Sequence, residues 1–148
     1  SALNITVHAA NYSAHLNEIV KLHLLSCTGK DFQGQVCRDA LDHRCIDRSR
    51  VIVNESVRTG SCIVLSGATD RSFITDRGCI KDLKIDWFNQ KELFSTSTSH
   101  IHIGGFYNCD ALQDDVCNLL MRAFEQNITT SLNPQYDATE KWVCIYLY

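Results

Sequence analysis

The sequence predicts an α/β fold with a mostly parallel sheet flanked by helices and a small β insertion. Two observations carry this. Short apolar runs of strand length alternate with segments of helical spacing along most of the 148 residues, and that order suits parallel strands joined by helical crossovers. Between Ile46 and Thr75 the alternation gives way to consecutive β-type runs, the mark of an insertion.

The first helix is predicted from Ser1 to Leu16, where Leu3, Val7, Ala10 and Ala14 recur every three to four residues. A strand follows at Lys21 to Cys27, carried by Leu22, Leu24 and Leu25 and ended by Thr28-Gly29-Lys30-Asp31. Helical spacing resumes from Phe32 to Leu41. The insertion holds strands at Arg50 to Val53, Ser61 to Leu65 and Arg71 to Thr75; Ser66-Gly67-Ala68-Thr69-Asp70 has the length and the glycine of a hairpin loop. Beyond Gly78 come a helix at Trp87 to Leu93, a strand at His100 to Ile103, a helix at Asp110 to Gln126 and a strand at Ile128 to Leu132. Asp110 is a candidate N-cap of the long helix, whose Leu112, Val116, Leu119, Leu120 and Ala123 form one apolar stripe. Open sheets of this kind place ligands beyond the carboxyl ends of their strands, where Gly29, Gly104, Asn133 and Pro134 fall. Residues 143–148 are apolar and end without a cap or turn, as if the element continued.

Composition fits one domain over residues 1–148, with 45% apolar and 21% charged residues and a formal charge of -3. No Lys/Arg run exists to track a phosphate backbone or an anionic membrane, so no nucleic-acid partner is expected. Apolar runs stop well short of the ~20 residues of a membrane span, so no membrane partner is expected either. The eight cysteines show no C-x-x-C pair and no zinc-type spacing with histidine. Four N-x-S/T sequons begin at Asn4, Asn11, Asn54 and Asn127 and leave open a secreted, disulfide-linked protein. Cys37 and Cys45 bracket a helix end beside His43 and Arg44 and read as buried or half-buried thiols. His100 and His102 project to one face of a strand and read as a structural pair lacking a third metal ligand.

Four blocks, in this order, resemble the PfkB/ribokinase family of carbohydrate kinases. Ser1-Ala2-Leu3-Asn4 is similar to the end of the family's G-G-x-x-x-N segment, without the glycines. Cys27-Thr28-Gly29-Lys30-Asp31-Phe32-Gln33-Gly34 is similar to its G-x-D-x-x-G turn; there Asp31 suits a helix cap and Gly34 a close helix approach. Thr59-Gly60 through Asp70-Arg71 to Arg77-Gly78 looks like the β-lid over the sugar, within a lid-like segment of about residues 46–78. Ser131-Leu132-Asn133-Pro134-Gln135-Tyr136-Asp137 with Trp142 resembles the strand end that carries D/N-P in sugar-kinase members.

The resemblance implies a partial ribokinase-like, Rossmann-like fold in the cytoplasm. It also implies transfer of the ATP γ-phosphoryl to a sugar or nucleoside hydroxyl, with Mg2+ and an aspartate base. On the substrate side it points to Ser1, Asn4 and Arg77, and for the nucleotide to Asn133; a homodimer through the lid is a further expectation. Each residue has a plainer reading, with Asn4 decorating a helix, Asn133 closing a strand-end turn and Arg77 solvated on the lid. The family's G-A-G-D motif is absent from these 148 residues, so the chain is expected to be a catalytically silent part of the enzyme that binds neither ATP nor Mg2+ tightly. The alternative from another class is a noncatalytic sugar-binding α/β module.

Overall fold

The computed structural model describes residues 2–17 and 20–142. The expected element at residues 143–148, and Ser1, lie outside the described residues. The architecture is mixed α/β, in the order α1 (Ala2–Leu16), β1 (Ser26–Gly29), α2 (Phe32–Asp42), β2 (Val51–Asn54), β3 (Ser61–Ser66), β4 (Arg71–Asp76), α3 (Gln90–Leu93), β5 (His100–Gly104), α4 (Asp110–Glu125) and β6 (Thr129–Asn133). The chain groups into two compact units, residues 6–81 and residues 2–5 with 82–142.

In the unit of residues 6–81, β1 and β2 pair in parallel, Ser26 opposite Val51 and Gly29 opposite Asn54. Helix α2 connects them and buries Gly34, Arg38 and Leu41, spaced four and three apart on one stripe. Because β2 belongs with β1, the antiparallel hairpin of the insertion consists of β3 and β4 alone. Their register runs from Ser61 opposite Asp76 to Ser66 opposite Arg71, and Gly67 N–H donates to the Asp70 carbonyl at 2.8 Å across the tip. The expected strand at Lys21 to Cys27 instead begins at Ser26. Residues 20–25 pair with the segment before β2 through an isolated bridge between His23 and Asp47, because the turn closed by Val51 N–H on the Arg48 carbonyl delays the start of β2.

In the other unit, β5 and β6 pair in parallel, His100 opposite Thr129 and Gly104 opposite Asn133. One core lies here: Phe94, Ile101, Ile103, Phe106, Val116, Leu119, Leu120, Ala123 and Ile128. Alternation along β5 turns Ile101 and Ile103 into it, and α4 contributes its predicted stripe. Two local expectations are corrected. The helix expected at Trp87 to Leu93 is a single turn, Gln90–Leu93, because the Asn89 side chain caps it by accepting from Lys91 N–H at 3.1 Å while Phe88 stays extended. Asp110 is not the N-cap of α4: that position is Cys109, without a side-chain capping bond, and Asp110 is the first helical residue, where its charge complements the helix dipole.

Candidate functional site

The strand-end turn after β1 is held by a closed set of hydrogen bonds. Asp31 has extended backbone at the N-cap of α2, and its Oδ1 accepts from Gly34 N–H at 2.7 Å. The same carboxylate takes Thr59 twice, the backbone N–H on Oδ2 at 2.7 Å and the hydroxyl on Oδ1 at 2.6 Å. Thr59 Oγ1 in turn accepts from Gly29 N–H at 2.8 Å. The Thr59 hydroxyl and amide, with Gly34 N–H, hold the Asp31 carboxyl below its usual range. Gly34 answers to the close approach expected of it, since a Cβ there would stand 2.2 Å from the Gly29 carbonyl oxygen. Buried Arg38 lies beneath the turn and donates to Thr28 Oγ1 at 2.8 Å and to the Gly29 carbonyl at 3.2 Å.

Thr59 also opens the hairpin. A Cβ on Gly60 would meet the Arg77 carbonyl oxygen at 2.5 Å, and one on Gly78, whose φ is +54°, would meet the Arg58 carbonyl oxygen at 2.4 Å. Cys79 N–H donates to that same Arg58 carbonyl at 2.9 Å. Arg58 and Asp76 form an ion pair across the root. Gly78 N–H and then Arg58 draw the Asp76 carboxyl below its usual range. Arg77 thus stands at the returning root of the hairpin. Beyond the root, Ile63, Val64, Leu65, Phe73 and Ile74 are all exposed. Ile63 and Ile74 face each other on one side of the ribbon, Val64 and Phe73 on the other, with the Arg71 guanidinium 5.5 Å from the Phe73 ring centre.

In the second unit, Asn4 is exposed on the first turns of α1. The start of that helix lies against β5, where a Cβ on Gly104 would come within 3.1 Å of Ala2. Gly104 is the register partner of Asn133. Asn133 serves the strand-end turn: its Oδ1 accepts from Gln135 N–H at 3.1 Å and its carbonyl from Gly105 N–H at 2.8 Å. Gly105, with φ at +82°, provides the left-handed backbone at the end of β5.

The loop beyond β6 is organised by residues the sequence reading quoted without assigning a role. Buried Asp137 accepts from Thr139 N–H at 2.8 Å, Thr139 Oγ1 at 2.7 Å and Trp142 N–H at 2.7 Å. Burial acts to raise its carboxyl, but these hydrogen bonds outweigh it and leave it below the usual range. Trp142 meets the rings of Tyr107 and Tyr136 edge-on at 5.9 and 5.4 Å. From β6, Ser131 Oγ lies 2.8 Å from His100 Nε2 and 2.7 Å from His102 Nδ1 on β5, so the histidine pair is tied across the two strands by a hydroxyl. Burial and then neighbouring His100 lower the pKa of His102.

Among the described residues no group of three or more His, Cys, Asp and Glu side chains is placed to hold a metal ion. Nor does the turn before α2 suit a phosphate, because the Asp31 carboxylate already takes Gly34 N–H and puts negative charge at that helix start. The residues at this turn therefore do not fit Mg2+ or ATP phosphates. Cys37, Cys45, Cys62, Cys79 and Cys117 carry free thiols, and burial raises the pKa of Cys37. None of the described helices is long and apolar enough to cross a membrane.

Residues 1–142 match the pattern of the pfkB family carbohydrate kinase. Three solved structures share the fold. A PfkB protein from Polaromonas sp. JS666 is 17% identical, with a TM-score of 0.73 over 93% of this chain and 45% of that one. The Halothermothrix orenii fructokinase is 19% identical, with a TM-score of 0.73 over 90% and 45%. A fructokinase with bound ATP from Xylella fastidiosa is 16% identical, with a TM-score of 0.72 over 92% and 42%. The chain spans less than half the length of each. No curated protein sequence matches it.

Proposed function

The chain belongs to the pfkB family of carbohydrate kinases, and on that premise we propose that it supplies the substrate-side strands and lid of an enzyme that transfers the ATP γ-phosphoryl to a sugar or nucleoside hydroxyl. The observation that carries this reading is the β3–β4 hairpin rooted on the G-x-D-x-x-G turn through Asp31 and Thr59, at the position along the chain where the family resemblance expects the lid.

In this proposal Ser1 and Asn4 approach the sugar; an amide offers a hydroxyl both a donor and an acceptor. Arg77, at the lid root, clamps an anionic group on the substrate through its guanidinium. Asn133 approaches the nucleotide from the end of β6 by its Nδ2, since its Oδ1 is occupied by the strand-end turn. ATP and Mg2+ serve the whole enzyme, in the cytoplasm, and this chain binds neither tightly. Because no G-A-G-D turn lies within the 148 residues, no carboxylate in this context accepts the hydroxyl proton, and the chain alone is catalytically silent. The exposed apolar faces of the hairpin support a homodimer through the lid.

The test is complementation. The purified chain is mixed with the separately produced C-terminal half of a full-length family member, and ATP-dependent formation of sugar phosphate is followed for ribose, fructose and a nucleoside. Restored turnover with at least one acceptor is the expected result. Sugar binding by the chain without any restored turnover would instead identify a noncatalytic binding module.

A further inference from the structure

The β3–β4 ribbon has no packed face. Its apolar side chains are exposed on both sides, and an isolated two-stranded hairpin is marginal in water. Something outside the strands must hold their ends together, and the structure has one dense set of contacts at that place. Asp31 grips Thr59 at two points, Gly29 N–H bonds the Thr59 hydroxyl, and the returning strand is closed on the outgoing one by Cys79 N–H to the Arg58 carbonyl. Gly60 and Gly78 allow the two backbones to cross at this point with no room for a side chain.

We propose that Asp31 and Thr59 form a latch that carries the β3–β4 hairpin as a stiff arm on the β1–α2 turn. The two residues are positioning residues. Asp31 uses one carboxylate oxygen to cap α2 and both to hold Thr59, so the start of the helix and the root of the hairpin are fixed by a single group.

Capping and latching separate in one variant. Asn is as good an N-cap as Asp, so Asp31→Asn keeps the bond to Gly34 N–H, but its amide NH2 presents a donor to Thr59 N–H where a carboxylate oxygen had accepted. Thr59→Val removes the hydroxyl, whereas Thr59→Ser keeps it. Hydrogen–deuterium exchange is measured on the full chain for all four proteins, comparing β3 and β4 with β5, β6 and α4. The expected result is roughly tenfold faster exchange of the hairpin amides in Asp31→Asn and Thr59→Val, near-native exchange in Thr59→Ser, and little change in β5, β6 and α4. Hairpin exchange unchanged in Asp31→Asn and Thr59→Val, or a uniform rise through both units, would overturn the latch. If Asp31→Asn fails to fold, the contrast between Thr59→Val and Thr59→Ser decides alone.

Discussion

Asp31 and Thr59, 28 residues apart in the chain, are joined by two hydrogen bonds, the Thr59 hydroxyl on Oδ1 at 2.6 Å and the Thr59 amide on Oδ2 at 2.7 Å. Both bonds are stronger to the ionised carboxylate than to the protonated acid, and with Gly34 N–H they depress the Asp31 pKa from 3.8. A carboxyl whose folded pKa lies below its unfolded value contributes stability that is full above the unfolded value and lost as pH falls through the folded one. Hairpin protection in the native chain is therefore expected to hold from neutral pH down to the ordinary carboxylate range and to fall in stronger acid. Asp31→Asn should lose that acid-dependent component. Superimposable acid profiles for the two proteins, followed by amide exchange or near-UV dichroism, would remove Asp31 from the account.

Gly34→Ala should be among the most damaging single methyl additions to the turn. The new Cβ would lie 2.2 Å from the Gly29 carbonyl oxygen and 2.8 Å from Thr59 Oγ1, and backbone cannot yield as a flexible side chain does. Overpacking of this kind costs about 1–3 kcal/mol, here expected at the upper end. A urea midpoint equal to that of the native chain would show that α2 is not seated as described.

Leu120→Ala tests the other unit. Leu120 is buried on α4 in the cluster with Phe94, Ile101, Phe106 and Ile128, and truncating such a leucine costs about 2–5 kcal/mol. Loss should appear first in the exchange of β5, β6 and α4.

Thiol chemistry offers a separate check. Cys62 and Cys117 are exposed, and so is Cys45, contrary to the buried or half-buried thiol expected there. Cys79 is fully buried, and desolvation followed by its contact with Cys27 pushes its pKa up to about 12. Only thiolate reacts with an alkylating agent, and at pH 8 such a thiol is ionised to the order of one part in 10⁴. Mass spectrometry after brief alkylation should find Cys45, Cys62 and Cys117 modified and Cys79 intact. Early modification of Cys79 would contradict the packing at the hairpin root.

What could be read from the sequence followed the range of the interactions involved. The apolar stripe of α4 and the strand–loop–strand pattern of β3 and β4 are encoded within a few residues, and so is the cap at Asp31, three residues before the amide it receives. The grip of Asp31 on Thr59 has no local spacing to betray it, since the partner is brought back only by the β1–α2–β2 crossover. The same holds for Ser131 between His100 and His102, which needs the register of β5 against β6. Asp137 is within reach of Thr139 and Trp142 along the chain, yet its role depends on burial, which periodicity does not report. β1 starts later than expected because Leu22, Leu24 and Leu25 have the pattern of a strand, whereas pairing begins only where β2 is present to receive it. The candidate substrate residues rest on family resemblance; geometry adds for Asn133 that its side-chain oxygen is already engaged.

As proposed, this chain carries the lid and substrate side of a sugar kinase without the group that accepts the hydroxyl proton. The most direct test incubates the purified chain with γ-labelled ATP, Mg2+ and a panel of sugars and nucleosides, and separates labelled sugar phosphate from ATP. The account predicts no labelled product above a protein-free blank. Labelled sugar phosphate formed in proportion to the amount of chain would contradict it.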